Sequence, residues 1–211
     1  MIRSKLLAAA LGAGLMLAPL AAALAWEGEV AGLERRWEQI TTQQAEGDRR
    51  SALKSLSERA ERLVEANPDV AQPLIWYGII EASHARERSG LGALGSARAA
   101  RDALERAVEI DPQGGNGSAY VTLGALYDRA PGRPIGFGNS DTAERMFQQA
   151  LEIRPDGIDV NFYYAAYLAE EGRQAEAREH AQRAVDGSVR EGREASDEAL
   201  REEARALLGR L

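Results

Sequence analysis

Three segments of this chain repeat one helical pattern, and that repetition constrains the fold more than any other feature. The segments read "ARDALERAVEIDP", "AERMFQQALEIRP" and "AEAREHAQRAVDG". In register they place a small residue at Ala107, Ala150 and Ala184, and the last two positions are 34 residues apart. Apolar residues recur at helical spacing in almost all of the chain after its first segment, so the sequence predicts an all-α fold of stacked repeats.

A second motif precedes the repeated segment, and it is most complete in "YVTLGALY". The residues that form the pattern of this repeat are Tyr120, Leu123, Gly124, Tyr127, Ala143, Phe147, Ala150 and Pro155. Their order and spacing resemble the tetratricopeptide-repeat (TPR) family. The resemblance implies an all-α, right-handed α-α superhelix, a TPR solenoid of about three to four helix pairs with a C-terminal capping helix.

The resemblance also divides the chain. Residues 26–68 are expected to form a degenerate N-terminal helix pair, and residues 69–187 three TPR-like repeats. Residues 188–211 carry apolar residues on one helical face and charges on the other, as a terminal capping helix requires. Residues 1–25 are expected to be a signal peptide.

The signal-peptide prediction rests on the layout of the first segment. Arg3 and Lys5 precede an apolar run, Pro19 interrupts it, and Ala23 and Ala25 form a small-residue cleavage site. We expect cleavage near Ala25 and a periplasmic location, with no membrane span afterwards. An uncleaved membrane anchor is the alternative. The chain has no cysteine, which excludes disulfides and a lipid attached to a cysteine.

Charge narrows the classes of partner. The formal net charge is −7, and no block of lysine or arginine stands out. Nucleic acids and anionic membrane surfaces reward basic patches, so neither is an expected partner.

Two of the three repeats carry an insertion between their helices, at about residues 87–96 and 131–138, which overlap the segments "RERSGLGALG" (86–95) and "APGRPIG" (130–136). Because both insertions fall at the same point of the repeat, they are expected to lie side by side as loops. Their apolar residues are expected either to form a lip for a partner or to fold back as a structural plug. These lip candidates are Leu91, Leu94, Ile135 and Phe137.

The TPR alignment also places the first helix of each repeat along a concave groove. Its surface is apolar and aromatic, and the aromatic residues have an alternative role as ordinary core. The groove candidates for a partner or ligand are Trp76, Ile79, Val121, Thr122, Asp128, Phe162 and Tyr163.

Catalytic chemistry has no sequence motif here. The two histidines, His84 and His180, lie in helical segments without a metal-binding or catalytic context, and no pair of carboxylates stands apart. We therefore expect no catalytic residue, no metal, no cofactor and no enzymatic activity.

Function is expected to be binding. The segments "LGALYDRAPGRPIGFG" and "ALEIRPDGIDVNFYYAAYL" resemble exported bacterial TPR proteins, which implies a scaffold or adaptor for another envelope protein. A weaker resemblance is to the periplasmic TPR component of TRAP-type solute transporters, which implies an accessory protein handling a small apolar ligand. The sequence leaves open whether the chain forms a homo-oligomer.

Overall fold

The computed structural model describes residues 18–211, with side chains from Trp26 onward. Most of the predicted signal segment 1–25 therefore lies outside the described residues. The helices of the described part are α1 Ala18–Gln43, α2 Glu46–Ala66, α3 Ala71–Arg86, α4 Gly90–Ile110, α5 Ser118–Arg129, α6 Ser140–Ile153, α7 Ile158–Glu170, α8 Gln174–Asp186 and α9 Glu194–Leu208. A short 3₁₀ turn, Gly114–Gly117, precedes α5.

Consecutive helices pack as pairs, which confirms the predicted all-α architecture of repeated helix pairs. The pairs are α1 with α2, α3 with α4, α5 with α6, and α7 with α8. The last helix, α9, packs against α7 and α8. Four helix pairs and one terminal helix account for the described chain.

Close approach of paired helices explains the small residues of the repeat pattern. A Cβ atom on Gly78 of α3 would lie 2.4 Å from Cγ of Leu104 in α4, and one on Gly124 of α5 would lie 2.6 Å from Cε1 of Phe147 in α6. Leu104 and Phe147 are fully buried. A bulky residue of the second helix therefore fills the space that a glycine of the first helix leaves.

The first helices of the pairs form a closed series, which was not expected from the sequence. Helix α1 contacts α3, α3 contacts α5, α5 contacts α7, α7 contacts α9, and α9 contacts α1. The expected solenoid is an open superhelix, but here its two ends meet. These five helices surround a central opening, with α2, α4, α6 and α8 packed outside them.

The junction between α1 and α9 rests on polar and aromatic contacts. The backbone N–H of Ser196 in α9 donates to Oε1 of Glu38 in α1 at 2.7 Å. The guanidinium carbon of Arg193, just before α9, lies 4.3 Å from the ring centre of Trp37 and 5.4 Å from that of Trp76. Arg193 is only 9% exposed, so the segment that precedes α9 enters the central opening.

The insertion at 87–96 is mostly helical, which corrects the predicted loop. Helix α3 ends at Arg86 and α4 begins at Gly90, so only 87–89 connect them. Three glycines suggested a loop, each at a cost of about 1 kcal/mol in a helix. Leu91, Leu94 and Ala97 nevertheless have helical spacing, and burial of Leu94 offsets that cost.

The insertion at 131–138 is a loop, as predicted, and its own backbone closes it. The N–H groups of Gly136 and Gly138 donate to the carbonyls of Gly132 and Pro131 at 3.0 and 2.9 Å. A Cβ on Gly138 would lie 1.9 Å from the carbonyl oxygen of Ala130, so only glycine fits there. Helix α6 then begins after Asn139, whose side chain accepts from the N–H of Thr142 at 2.8 Å.

Candidate functional site

One end of the central opening is a cavity of about 1050 Å³. Helices α1, α3, α5, α7 and α9 contribute to its wall, together with the first turns of α2 and α4 and the loop after α5. Eight of the predicted site residues line it: Ile79, Leu91, Leu94, Val121, Thr122, Ile135, Phe162 and Tyr163. The structure thus brings together groove and lip residues that are up to 84 positions apart in the sequence.

The walls of the cavity are mainly apolar side chains fixed by packing. Phe162 and Tyr163 of α7 meet edge to face with ring centres 5.3 Å apart. On the opposite side, the indole N–H of Trp37 donates to Oγ of Ser83 at 2.8 Å. Thr122 is held similarly, because its hydroxyl donates to the carbonyl of Ser118 at 3.0 Å. The surface is therefore pre-formed.

The mouth of the cavity carries the two most exposed large apolar residues of the described chain. Leu91 of α4 is 86% exposed and Ile135 of the loop is 64% exposed. Nη2 of Arg98, which follows the first insertion in α4, donates to the carbonyl of Ile135 at 2.8 Å, so the loop 131–138 packs beside α4. Exposed apolar residues at the edge of an apolar cavity are typical of a binding surface.

Phe137 does not line the cavity, although it was predicted beside Ile135 in the lip. Its ring packs edge to face against Tyr127 at 5.5 Å, and the guanidinium of Arg101 lies over it at 4.6 Å. Phe137 is therefore the plug of the alternative hypothesis. The two apolar residues of this loop are divided, with Phe137 turned inward and Ile135 left at the mouth.

Trp76 and Asp128 also lie outside the cavity. Trp76 is buried beneath Arg193 and lines a smaller pocket of about 270 Å³ at the other end of the opening. Arg193 separates it from the cavity because the segment before α9 occupies the groove. Asp128 is half-buried, and burial together with the nearby carboxylate of Glu170 raises its pKa above the usual range.

A buried ionic cluster holds the segment before α9 in place. Asp159 of α7 accepts from Nη2 of Arg154 at 2.5 Å and lies 2.8 Å from Nη1 of Arg190. Arg190 also donates to Oδ1 of Asp197 at 2.5 Å. Burial alone would raise the pKa of Asp159, but Arg190, Arg154 and Arg193 hold it below its usual value. The carboxylate thus stays ionised inside the protein.

The charge of the cavity wall differs from that of the whole chain. Four arginines line it, Arg49, Arg86, Arg129 and Arg193, against the carboxylates Asp159 and Glu203. The charge of Asp159 is already compensated by Arg154 and Arg190 in the ionic cluster. The whole chain, by contrast, has a formal net charge of −7. The cavity is therefore a positive region on an acidic protein.

Sequence reasoning missed several residues of this surface. Trp37, Arg49, Arg193 and Leu200 line the cavity from α1, α2 and the C-terminal region. They lie outside the three clear repeats, so the alignment gave them no groove position. The sequence did contain one signal, the pair Arg190 and Arg193 in a short connection between two helical patterns. Charged side chains that become buried need partners, so such a pair is a candidate for contacts with neighbouring helices.

Two other features of the described residues bear on chemistry. Within 18–211 there is no cluster of three or more histidine, aspartate or glutamate side chains that would hold a metal ion. Among the helices described, none has both the length and the apolar character needed to cross a bilayer.

Comparison with known proteins identifies the fold. No protein-family model matches the chain, and no curated protein matches it. Among solved structures, the chain is similar to TTC0263, a thermophilic TPR protein of Thermus thermophilus, with a TM-score of 0.56 and 19% identity over 92% of this chain and 96% of that one. The chain has a tetratricopeptide-repeat fold.

A second TPR structure, MamA, matches with a TM-score of 0.50 and 14% identity over 75% of this chain and 86% of that one. At such identities the likeness concerns the fold. Neither match supports the predicted resemblance to a TRAP-transporter component.

Proposed function

We propose that this protein is a non-enzymatic scaffold that binds a segment of another protein in the cavity at the centre of its TPR ring. The observation that carries the proposal is the convergence of five inner helices on one pre-formed apolar cavity of about 1050 Å³. A cavity of this kind, with exposed apolar residues at its mouth, has the shape and chemistry of a binding site.

The arrangement favours a peptide segment over a flat protein surface. Val121 and Phe162 are buried residues of the cavity wall, so a partner contacts them by inserting a segment such as a helix or an extended strand. Leu91 and Ile135 then extend the contact outside the mouth. An amphipathic helix placed in a hydrophobic groove is a common mode of peptide recognition.

The test compares the wild type with a variant in which the cavity is filled. Ala125 lies on the cavity wall, half-buried in the middle of α5, so Ala125→Trp places an indole in the opening without removing a core side chain. Ala206→Trp, at an exposed position of α9, is the matched control. Affinity purification from cells should recover one partner with the wild type and with Ala206→Trp, but not with Ala125→Trp.

The opposite result would exclude the cavity. If Ala125→Trp retains the wild-type helicity and melting temperature and still recovers the same partner, that partner binds elsewhere on the molecule. Helicity and melting are measured for all three proteins before the comparison.

The location of this activity is part of the proposal. The signal-like segment 1–25 supports export to the periplasm, with cleavage near Ala25 and an envelope protein as partner. Cell fractionation and the intact mass of the purified chain test both points. A cytoplasmic chain that retains residues 1–25 would exclude export.

A second candidate is the binding of a small apolar ligand, favoured by the largely apolar walls and the volume of the cavity. Native mass spectrometry of the protein purified from cells separates the two. A bound mass of a few hundred daltons, absent from Ala125→Trp, would favour the small ligand.

A further inference from the structure

The arginines at the mouth of the cavity define the chemistry of its ligand. We infer that the cavity takes an acidic amphipathic segment of a protein, whose apolar side chains enter while its carboxylates pair with Arg49, Arg86 and Arg129. This inference rests on the proposed function, because it names the class of segment that the same cavity binds.

Two of these arginines have no anionic partner in the part of the chain that is described. Nε of Arg49 donates to the carbonyl of Gln44 at 3.0 Å, and Nη1 of Arg86 approaches the hydroxyl of Tyr163 at 3.4 Å. Neither guanidinium forms an ion pair within 4.0 Å among residues 26–211, whose side chains the structure describes. Their charge is therefore available to a ligand.

The third arginine has only a neighbour in the sequence as its partner. Arg129 lies 3.4 Å from the carboxylate of Asp128, and its side chain is 60% exposed. The 3.4 Å contact with Asp128 is longer than the about 2.7–2.9 Å of a charge-assisted hydrogen bond, so a ligand carboxylate can compete for the exposed Arg129. By contrast, Arg193 is buried against two tryptophans and is not part of the inference.

Placement of the arginines favours a peptide over a single small anion. Arg49 lies in the first turn of α2, Arg86 at the end of α3 and Arg129 at the end of α5, so the positive charges come from three helices around one mouth. A fatty acid offers one carboxylate, whereas a peptide offers several. Arginine at a helix C-terminus also offsets the helix dipole, and that purely structural role is the competing explanation.

The experiment selects ligands from a random pool, so the partner need not be identified first. A displayed library of random peptides of about 15 residues, enough for four helical turns, is enriched on the wild-type protein. We expect the enriched peptides to combine apolar residues at helical spacing with net negative charge. Enriched peptides are then synthesised, and their affinities are measured by fluorescence anisotropy at low and high salt.

Matched variants test whether the arginines at the mouth are responsible for the effect of charge on peptide affinity. The variant Arg49→Gln, Arg86→Gln, Arg129→Gln should lose affinity by about tenfold, since three exposed ion pairs each contribute a fraction of a kcal/mol. A control with the same loss of charge is Arg62→Gln, Arg145→Gln, Arg178→Gln, at exposed positions outside the cavity. It should retain the wild-type affinity, and salt should weaken binding only where the mouth arginines remain.

The outcomes separate this inference from the proposed function. Enriched peptides that are neutral or basic, but that fail to bind Ala125→Trp, would overturn the acidic class and leave the cavity as the binding site. Equal loss of affinity in both triple variants would overturn the role of the mouth arginines. The absence of any peptide that needs the open cavity would overturn both this inference and the proposed peptide-binding scaffold. Binding of dodecanoate in place of a peptide would overturn both as well, in favour of the small apolar ligand.

Discussion

The two ends of the central opening differ in whether their charged side chains have partners within the protein. At one end, Arg190 and Arg193 are buried against carboxylates and tryptophans, so their polar groups already have partners. At the other end, apolar side chains and the guanidinium groups of Arg49 and Arg86 line the cavity. Ring closure and the proposed ligand binding therefore depend on two neighbouring parts of one concave surface, with Asp159 and Arg193 at the boundary between them.

We expect the charged end to determine the stability of the fold and the cavity to determine the affinity for a ligand. Substitutions at the charged end should lower the free energy of unfolding. Substitutions at the cavity should leave it nearly unchanged and act on ligand affinity.

The largest effect on stability is expected for Asp159→Asn. The substitution leaves Arg190 and Arg154 without their shared carboxylate, and removing one partner of a buried ion pair costs about 3–5 kcal/mol. Urea denaturation followed by circular dichroism measures the change. A loss below about 1 kcal/mol, the range of an exposed pair, would show that the cluster does not hold the ring closed.

Acid should remove the same stabilisation in the wild type. The pKa of Asp159 is below its ordinary value of 3.8, so its contribution is complete above that value and is lost as the pH falls through the pKa of the folded state. Other carboxylates also titrate in this range, and Asp159→Asn corrects for them. The difference in unfolding free energy between wild type and variant should shrink below about pH 4, and a constant difference would argue against an ionised Asp159.

A smaller effect on stability is expected for Phe137→Ala than for Asp159→Asn. Phe137 is partly buried against Tyr127 and Arg101, so its loss should cost about 2 kcal/mol, below the roughly 3–5 kcal/mol of a fully buried phenylalanine. The matched variant is Ile135→Ala, two residues earlier in the same loop. Equal melting temperatures for the two variants would show that Phe137 is not a plug.

The smallest effect on stability is expected for Ile135→Ser combined with Leu91→Ser. Both side chains are mostly exposed, so the free energy of unfolding should change by less than about 0.5 kcal/mol. Peptides selected on the wild type should nevertheless bind this variant more weakly, because their contact at the mouth is lost. Unchanged anisotropy titrations would restrict the site to the interior of the cavity.

The sequence predicted the helices and their pairing because these depend on local periodicity. The repeat pattern predicts that a large residue of the second helix packs against a small residue of the first. The structure confirms this contact between Phe147 and Gly124. The inner position of Ile79, Val121 and Phe162 follows from the same repeat. These features repeat along the chain, so an alignment within the sequence is enough to find them.

Ring closure could not be predicted in this way. It depends on a small rotation between successive pairs, which accumulates over the solenoid and has no local pattern. The burial of Arg193 and the displacement of Trp76 from the cavity follow from that closure. The glycine content of the insertion at about 87–96 favours a loop, whereas the structure is helical from Gly90, where Leu91 and Leu94 have helical spacing.

We propose that the open end of the ring holds a protein segment, and photo-crosslinking in living cells can detect that segment in place. A photoreactive phenylalanine analogue is placed at position 125 inside the cavity, and at position 206 on α9 as the control. We expect one discrete crosslinked protein from position 125 and none from position 206. The same products from both positions, or no product from position 125, would contradict it.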